Sequence, residues 1–168
     1  MMTLLTEPST FITPDGWTTG PRFVELTADL LRWLPVADRL GGPASVVSDD
    51  LVRRFAARPG FGFALLDSGY IVGAGGVMEL WPGRGLVWMT PGIHAEWRHF
   101  RRALAHARRW LGALQASGRF RRLECTVDAC DQAAYRWAHH LGFVLEARLR
   151  AYAPDGSDHF LLVRFKDA

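Results

Sequence analysis

Apolar and polar positions along this chain follow two different periods, and the switches between them mark out a succession of strands and helices. Arg22 to Leu26 reads as a first strand. Thr27 to Trp33, together with Val36 to Leu40, has helical spacing interrupted by Pro35, whose ring and missing N–H disrupt a helix interior. After the Gly41-Gly42-Pro43 break, Ser48 is placed to cap a helix running through Ala57, with Leu51, Val52 and Phe55 on one face. The period then shortens. Phe61 to Leu66 and Gly69 to Met78 are strand-like apolar runs joined by Asp67-Ser68-Gly69, a tight hairpin signal. Pro82-Gly83-Arg84-Gly85 predicts another turn before a short strand, Leu86 to Thr90, so these three runs predict an antiparallel meander.

His94 to Leu114 is the longest helical segment. Trp97, Leu104, Leu111 and Leu114 recur at spacings of seven and three and predict one buried stripe. A helix between that meander and the next strand, Arg122 to Val127, implies a crossover that sets the two flanking strands parallel. Asp131 to Leu141 predicts a short helix stopped by Gly142, a residue suited to a left-handed cap. Two strands, Phe143 to Tyr152 and His159 to Phe165, then close as a hairpin through Pro154-Asp155-Gly156-Ser157.

Composition narrows the class without changing this picture. At 168 residues, 49% hydrophobic and 22% charged, the chain has the length and apolar content of one globular domain, here residues 21–168 behind a loosely held arm, 1–20. No apolar run approaches the roughly 20 residues that cross a bilayer, so no membrane partner is expected. The net charge is +3, and nineteen of the twenty basic residues are arginine. That skew suits phosphate or carboxylate recognition, but a GC-rich coding sequence produces it too and is the favoured explanation. Eight arginines fall between His94 and Arg122 against one acid, Glu96. The helix carrying five of them must bury its Trp/Leu stripe and offers little aromatic interleaving, so a solvated basic face is expected rather than a nucleic-acid partner.

Cys125 and Cys130 are five apart across a strand-to-helix junction, a spacing that suits neither a disulfide nor a zinc site. His94, His139 and His140 lack the paired spacing and third ligand of a metal centre. The first twenty residues lack the basic start and apolar stretch of a signal peptide, which makes a reducing, cytoplasmic setting the expectation.

The order strand, helices, meander, long helix, strand, short helix, hairpin resembles that of the GCN5-related N-acetyltransferases. The segment Asp131-Gln-Ala-Ala-Tyr135-Arg-Trp137-Ala-His-His-Leu-Gly142-Phe143 is similar to the family's second acetyl-CoA motif, through Ala134, Leu141, Gly142 and Phe143. The resemblance implies a GNAT-like α/β (α+β) fold: a mixed, mostly antiparallel central sheet flanked by helices. It also implies acetyl-CoA as co-substrate and a small-molecule or peptide amine as acceptor. The family's glycine-rich pyrophosphate turn is degenerate here. His94 stands at its basic position, and Ala95 and Trp97 stand where glycines are expected. Carried over by resemblance, the cofactor-binding residues are Trp88, Met89, Thr90, Ala95, Trp97, Arg98, Arg101, Arg102 and Asp131.

The tyrosine that often protonates the leaving thiolate in this family corresponds to Ala138, and Tyr135 lies three residues earlier on the same helix. Acyl transfer also requires the amine in its neutral form, which a carboxylate can arrange. Glu79, at the end of the second meander strand, and Glu124, whose alternation partners are Thr126 and Asp128, are the candidates, with Tyr135 as the third catalytic candidate. The leading expectation is an N-acetyltransferase working by direct attack. The alternative is a non-catalytic protein on the same fold, since the chain also resembles phage-encoded acetyltransferase-like proteins in its Trp-Met-Thr-Pro strand and its helix without the glycine turn. That reading brings virion proteins as partners and the virion as location. Exposed aromatics suggest a homodimer under either reading.

Overall fold

The computed structural model describes residues 20–32, 34–36, 45–46 and 61–166. The N-terminal arm before residue 20, residues 37–40 of the second helical stretch and the helix expected over 48–57 lie outside the described residues. The described elements are β1 (Arg22–Glu25), α1 (Ala28–Arg32), β2 (Pro35–Val36), β3 (Ser45–Val46), β4 (Gly62–Asp67), β5 (Tyr70–Trp81) and β6 (Gly83–Pro91). They continue with α2 (Trp97–Ala116), β7 (Phe120–Asp128), α3 (Gln132–His140), β8 (Val144–Leu149) and β9 (His159–Phe165). Seven strands form one sheet in the order β1-β4-β5-β6-β7-β9-β8, and β2 pairs with β3 separately. The β1–β4, β4–β5, β7–β9 and β8–β9 pairs are antiparallel, and β6–β7 is parallel. This is the mixed, mostly antiparallel architecture expected. No helix among the described residues is long and apolar enough to cross a membrane.

The chain divides into two compact units. The first holds the residues up to Gly76 with Met89–His99, and the second holds Val77–Trp88 with the residues from Phe100 onward. In the first, β4 and β5 meet through Ser68 and Gly69, whose φ values of 49° and 82° make the two-residue turn that matches strand twist. Leu65, Leu66, Ile71, Val72 and Ala74 are buried around it, with Leu30, Leu31 and Leu34 from α1 and the residues after it. In the second, Phe120, Leu123 and Leu162 are completely buried, and Leu111, Phe143 and Val163 nearly so. Rings of α3 reach their neighbours edge-on: Trp137 meets Phe100 and Tyr135 meets Phe160.

Three local features depart from the sequence reading. Pro35–Val36 is strand, not a resumed helix. The turn expected over residues 82–85 is confined to its start: Gly83, at φ 88°, already opens β6. Gly85 then serves packing, since a Cβ there would lie 2.5 Å from Val77 Cγ1 and 3.0 Å from Leu123 Cδ2. The stripe of α2 is also shifted. Ala107, Leu111 and Gln115 are buried at four-residue spacing with His99 on the same line, whereas Trp97 is 70% exposed. An aromatic in the first turn of a helix has no preceding turn of its own helix to pack over, so its spacing to Leu104 carried no burial.

Candidate functional site

The parallel β6–β7 ladder is short. Its register runs from Gly83↔Phe120 through Arg84↔Arg122 and Gly85↔Leu123 to Leu86↔Glu124, and stops there. β6 continues for five residues, through Trp88, Met89 and Thr90, while β7 continues to Asp128 in register with β9. A strand segment beyond its ladder presents backbone N–H and C=O groups that another extended chain can use. Trp88 and Thr90 are half-buried there and Met89 is exposed. Gly73 of β5 makes room behind them: a Cβ there would lie 3.3 Å from the Thr90 carbonyl oxygen and 3.6 Å from Pro91 Cα.

The carboxylates of the second unit are tied to arginines. Glu124, its side chain only 5% exposed, accepts from Arg84 Nη2 at 2.5 Å and from Arg122 Nε at 3.0 Å. Arg122 also grips Glu146 on β8 with both terminal nitrogens. The Glu146 contact, followed by Glu124, holds the Arg122 guanidinium above its ordinary pKa, and Arg122 in turn holds Glu146 below its own. Arg84 lies over the Trp81 ring, 4.2 Å from its centre. Glu79 accepts from Arg119 Nη2 at 2.9 Å, near the start of β7 and away from the end of the β6–β7 ladder. Tyr135 faces the Phe160 ring at 5.5 Å between centres.

In the first unit, the loop between β6 and α2 is closed by backbone links. Gly92 N–H donates to Val72 O, and Ala95 N–H donates to Gly92 O, each at 3.0 Å. Glu96 precedes the helix, and its N–H donates to Nδ1 of His99 at 2.9 Å. Nε2 of His99 lies 2.8 Å from Oδ2 of Asp67. Arg98 turns toward Asp67 at 3.5 Å and Glu96 at 3.4 Å. His94 stacks on Tyr70 with ring centres 4.3 Å apart. Ala95 is half-buried and Trp97 exposed in this same turn, and Arg101 and Arg102 are exposed further along α2.

Asp131 caps α3, accepting the Ala134 N–H at 2.8 Å. At the other end Gly142 sits at φ 88°; its N–H donates to His139 O and the Phe143 N–H to Ala138 O. This paired closure, with buried Phe143 and Ala138 brought together, is the reason the chain carries Gly-Phe here. The sequence reading named Gly142 as the stop of α3, while the capping role of Asp131 comes from the structure. It missed the Arg84–Glu124 and Asp67–His99 pairs, whose partners are 40 and 32 residues apart and carry no local signal.

The sequence matches no family model and no curated protein. Solved structures do match. An acetyltransferase of GNAT family from Streptococcus pneumoniae superposes with TM-score 0.65 at 19% identity, over 86% of this chain and 98% of that one. The fold is that of the GNAT acetyltransferases. A NatC complex bound to Gag peptide and CoA matches with TM-score 0.68 at 15% identity, over 88% of this chain and 99% of that one. A variant of the spermidine N-acetyltransferase SpeG from Vibrio cholerae gives 0.63 at 14% identity, over 88% and 95%.

Proposed function

We propose that this protein is an acetyl-CoA-dependent N-acetyltransferase acting on a small-molecule or peptide amine. The observation that carries the reading is the parallel β6–β7 ladder that ends at Leu86↔Glu124 while both strands run on. Such an edge fits the amide-bearing arm of a coenzyme A thioester, which can pair with backbone groups of Trp88, Met89 and Thr90 as an added strand would. Bound acetyl-CoA supplies an activated acyl group to the amine. Arg101 and Arg102, exposed on α2, suit its phosphates, with Ala95, Trp97 and Arg98 at the helix start and Asp131 fixing the start of α3. The chain binds and orients the thioester; a backbone donor near Met89 and Thr90 is suited to an oxyanion.

Neutralising the amine is the remaining task. Glu79 is already engaged by Arg119, and Glu124 by Arg84 and Arg122 through both of its oxygens, so Glu124 would have to give up an arginine to face an amine. Tyr135 packs against Phe160, so its part in the reaction requires its hydroxyl, not its ring. Proton removal by solvent through ordered water is the mechanism most compatible with these pairings. The test is release of free CoA from acetyl-CoA in the presence of polyamines or peptides with free N-termini. Amine-dependent release is expected; absence of release with every amine, together with no acetyl-CoA binding, overturns the reading.

A second reading, a non-catalytic protein on this fold such as a phage virion component, is favoured by the start of α2. There His99 already occupies the Glu96 amide, and Trp97 is turned to the surface. It predicts no turnover and a surface role for Trp97.

A further inference from the structure

Arg164 is the sixth residue of β9, and its register partner Leu123 and its neighbours Leu162 and Val163 are all buried. Its side chain lies against two glycines. Nη2 is 3.9 Å from where a Cβ on Gly112 of α2 would stand, and Nε is 3.5 Å from where one on Gly142, after α3, would stand. Gln115 Nε2 donates to the Arg164 carbonyl at 3.3 Å, which fastens the strand to the same stretch of α2. A guanidinium carries five N–H donors and no acceptor. Among the described residues, Nη1 is buried with no hydrogen-bond partner, and no carboxylate pairs with the group. Buried charged donors are seldom left open, because their lost hydration is not returned. The surrounding charge deepens the need. Arg108 stands one turn before Gly112 on the same face of α2 and is exposed. Burial, and then Arg108, hold the Arg164 guanidinium below its ordinary pKa. The carbonyls that end α3 are engaged, Ala138 O by the Phe143 N–H and His139 O by the Gly142 N–H.

We infer that Arg164 and Arg108 form a binding site for a doubly charged oxyanion, a free phosphate or the phosphate of an ester, between α2 at Gly112 and the turn at Gly142. Two cations without a carboxylate favour a dianion over chloride or a single carboxylate, and the flat guanidinium fork matches a pair of phosphate oxygens. The two glycines keep side-chain carbon away from the guanidinium. Gly112 is ten residues beyond Arg102, about 15 Å along a helix that rises roughly 1.5 Å per residue, so this site lies apart from the arginines suited to the coenzyme. It is independent of the acetyl-CoA reading and holds whether or not the chain transfers an acyl group.

The test is thermal unfolding of the full chain titrated with sodium phosphate against sodium chloride at matched ionic strength, with the arginine Nε–H signals followed by NMR in the same series. The wild type is expected to show a saturable rise of about 3–6 °C at ten times the dissociation constant. One Nε–H signal, absent from Arg164→Met, moves with that rise. Arg108→Ala, a surface change, weakens phosphate binding about tenfold, the scale of one lost charge-assisted hydrogen bond. Arg164→Met abolishes the saturable rise. Equal rises in the wild type and both variants, or no saturable rise in the wild type, overturn the inference. So does a rise that survives Arg108→Ala and is lost when Arg101 and Arg102 are both changed to Ala, which places the anion elsewhere on α2. Glycerol phosphate separates the two sources of the same chemistry. Tighter binding than inorganic phosphate, with the same loss in Arg108→Ala, identifies an ester as the ligand, and equal or weaker binding identifies the free anion. Should Arg164→Met not fold, Arg164→Lys, which keeps the charge and loses the planar fork, makes the same comparison, with the phosphate rise reduced.

Discussion

Replacing Glu124 by Gln removes a negative charge from between two guanidinium groups while leaving side-chain volume unchanged. Glu124 is 5% exposed, and its partners Arg84 and Arg122 are 30% and 24% exposed, so the pairs are part-buried, not surface contacts. At separations of 2.5 and 3.0 Å, each attraction is about 6 kcal/mol in a medium of effective dielectric near 20. Desolvation of the carboxylate cancels most of that sum, and breaking a wholly buried pair costs about 3–5 kcal/mol. Two mitigating contacts lower the figure here: Arg122 keeps Glu146, and Arg84 keeps the Trp81 face. Among the described residues, Arg84 Nε is buried with no hydrogen-bond partner, so Arg84 depends on its contacts with Glu124 and Trp81. A destabilisation of about 2 kcal/mol results. Urea denaturation at neutral pH should therefore show an unchanged slope and a midpoint lowered by about 1 M, for a slope near 2 kcal/mol/M. A midpoint equal to wild type would refute the claim that this network stabilises the β6–β7 end. A steep loss of acetyl transfer without loss of stability would instead return Glu124 to the role of base.

Three further outcomes follow from single sites. Asp67 has its pKa lowered, first by the His99 hydrogen bond, so its contribution is complete above the ordinary value of 3.8 and is lost as pH falls through the lowered one. Acid titration of stability should show that falling limb in the wild type and a flatter one in Asp67→Asn; identical limbs would exclude the pair. Gly85→Ala should cost about 1–3 kcal/mol by thermal or urea unfolding, because Val77, Leu123 and Phe120 must all move to admit a methyl group; an unchanged melting temperature would show that they move freely. Cys130 is exposed, whereas the Cys125 thiol is pushed up to about 12, chiefly by burial. A thiol reagent should therefore titrate one cysteine in the native protein and the second only on unfolding, and two fast-reacting thiols would contradict that placement.

What could be read from the sequence was what local chemistry decides. Asp67-Ser68-Gly69 specified its turn because positive φ at the two turn positions selects small or polar residues. Gly142 marked the end of α3 because a left-handed cap acts within one turn of the helix. The crossover through α2 followed from the order of elements. Features decided by distant partners were not readable. His99 on the buried line of α2 looks like an error in an apolar pattern until Asp67, 32 residues earlier, is seen to receive its proton. Nothing near Glu124 in the sequence announces Arg84, 40 residues earlier, which binds it in the structure. Gly83 and Gly85 read as a longer turn because glycine has the same signature whether it supplies a positive φ, as at Gly83, or space, as at Gly85.

The most direct test of the account is calorimetric titration of the full chain with acetyl-CoA. The account predicts saturable binding with a dissociation constant in the range of about 1 μM to 1 mM, weakened when Arg101 and Arg102 are both changed to Ala. No heat and no thermal shift at millimolar acetyl-CoA would contradict it and leave a GNAT fold without the acyl donor.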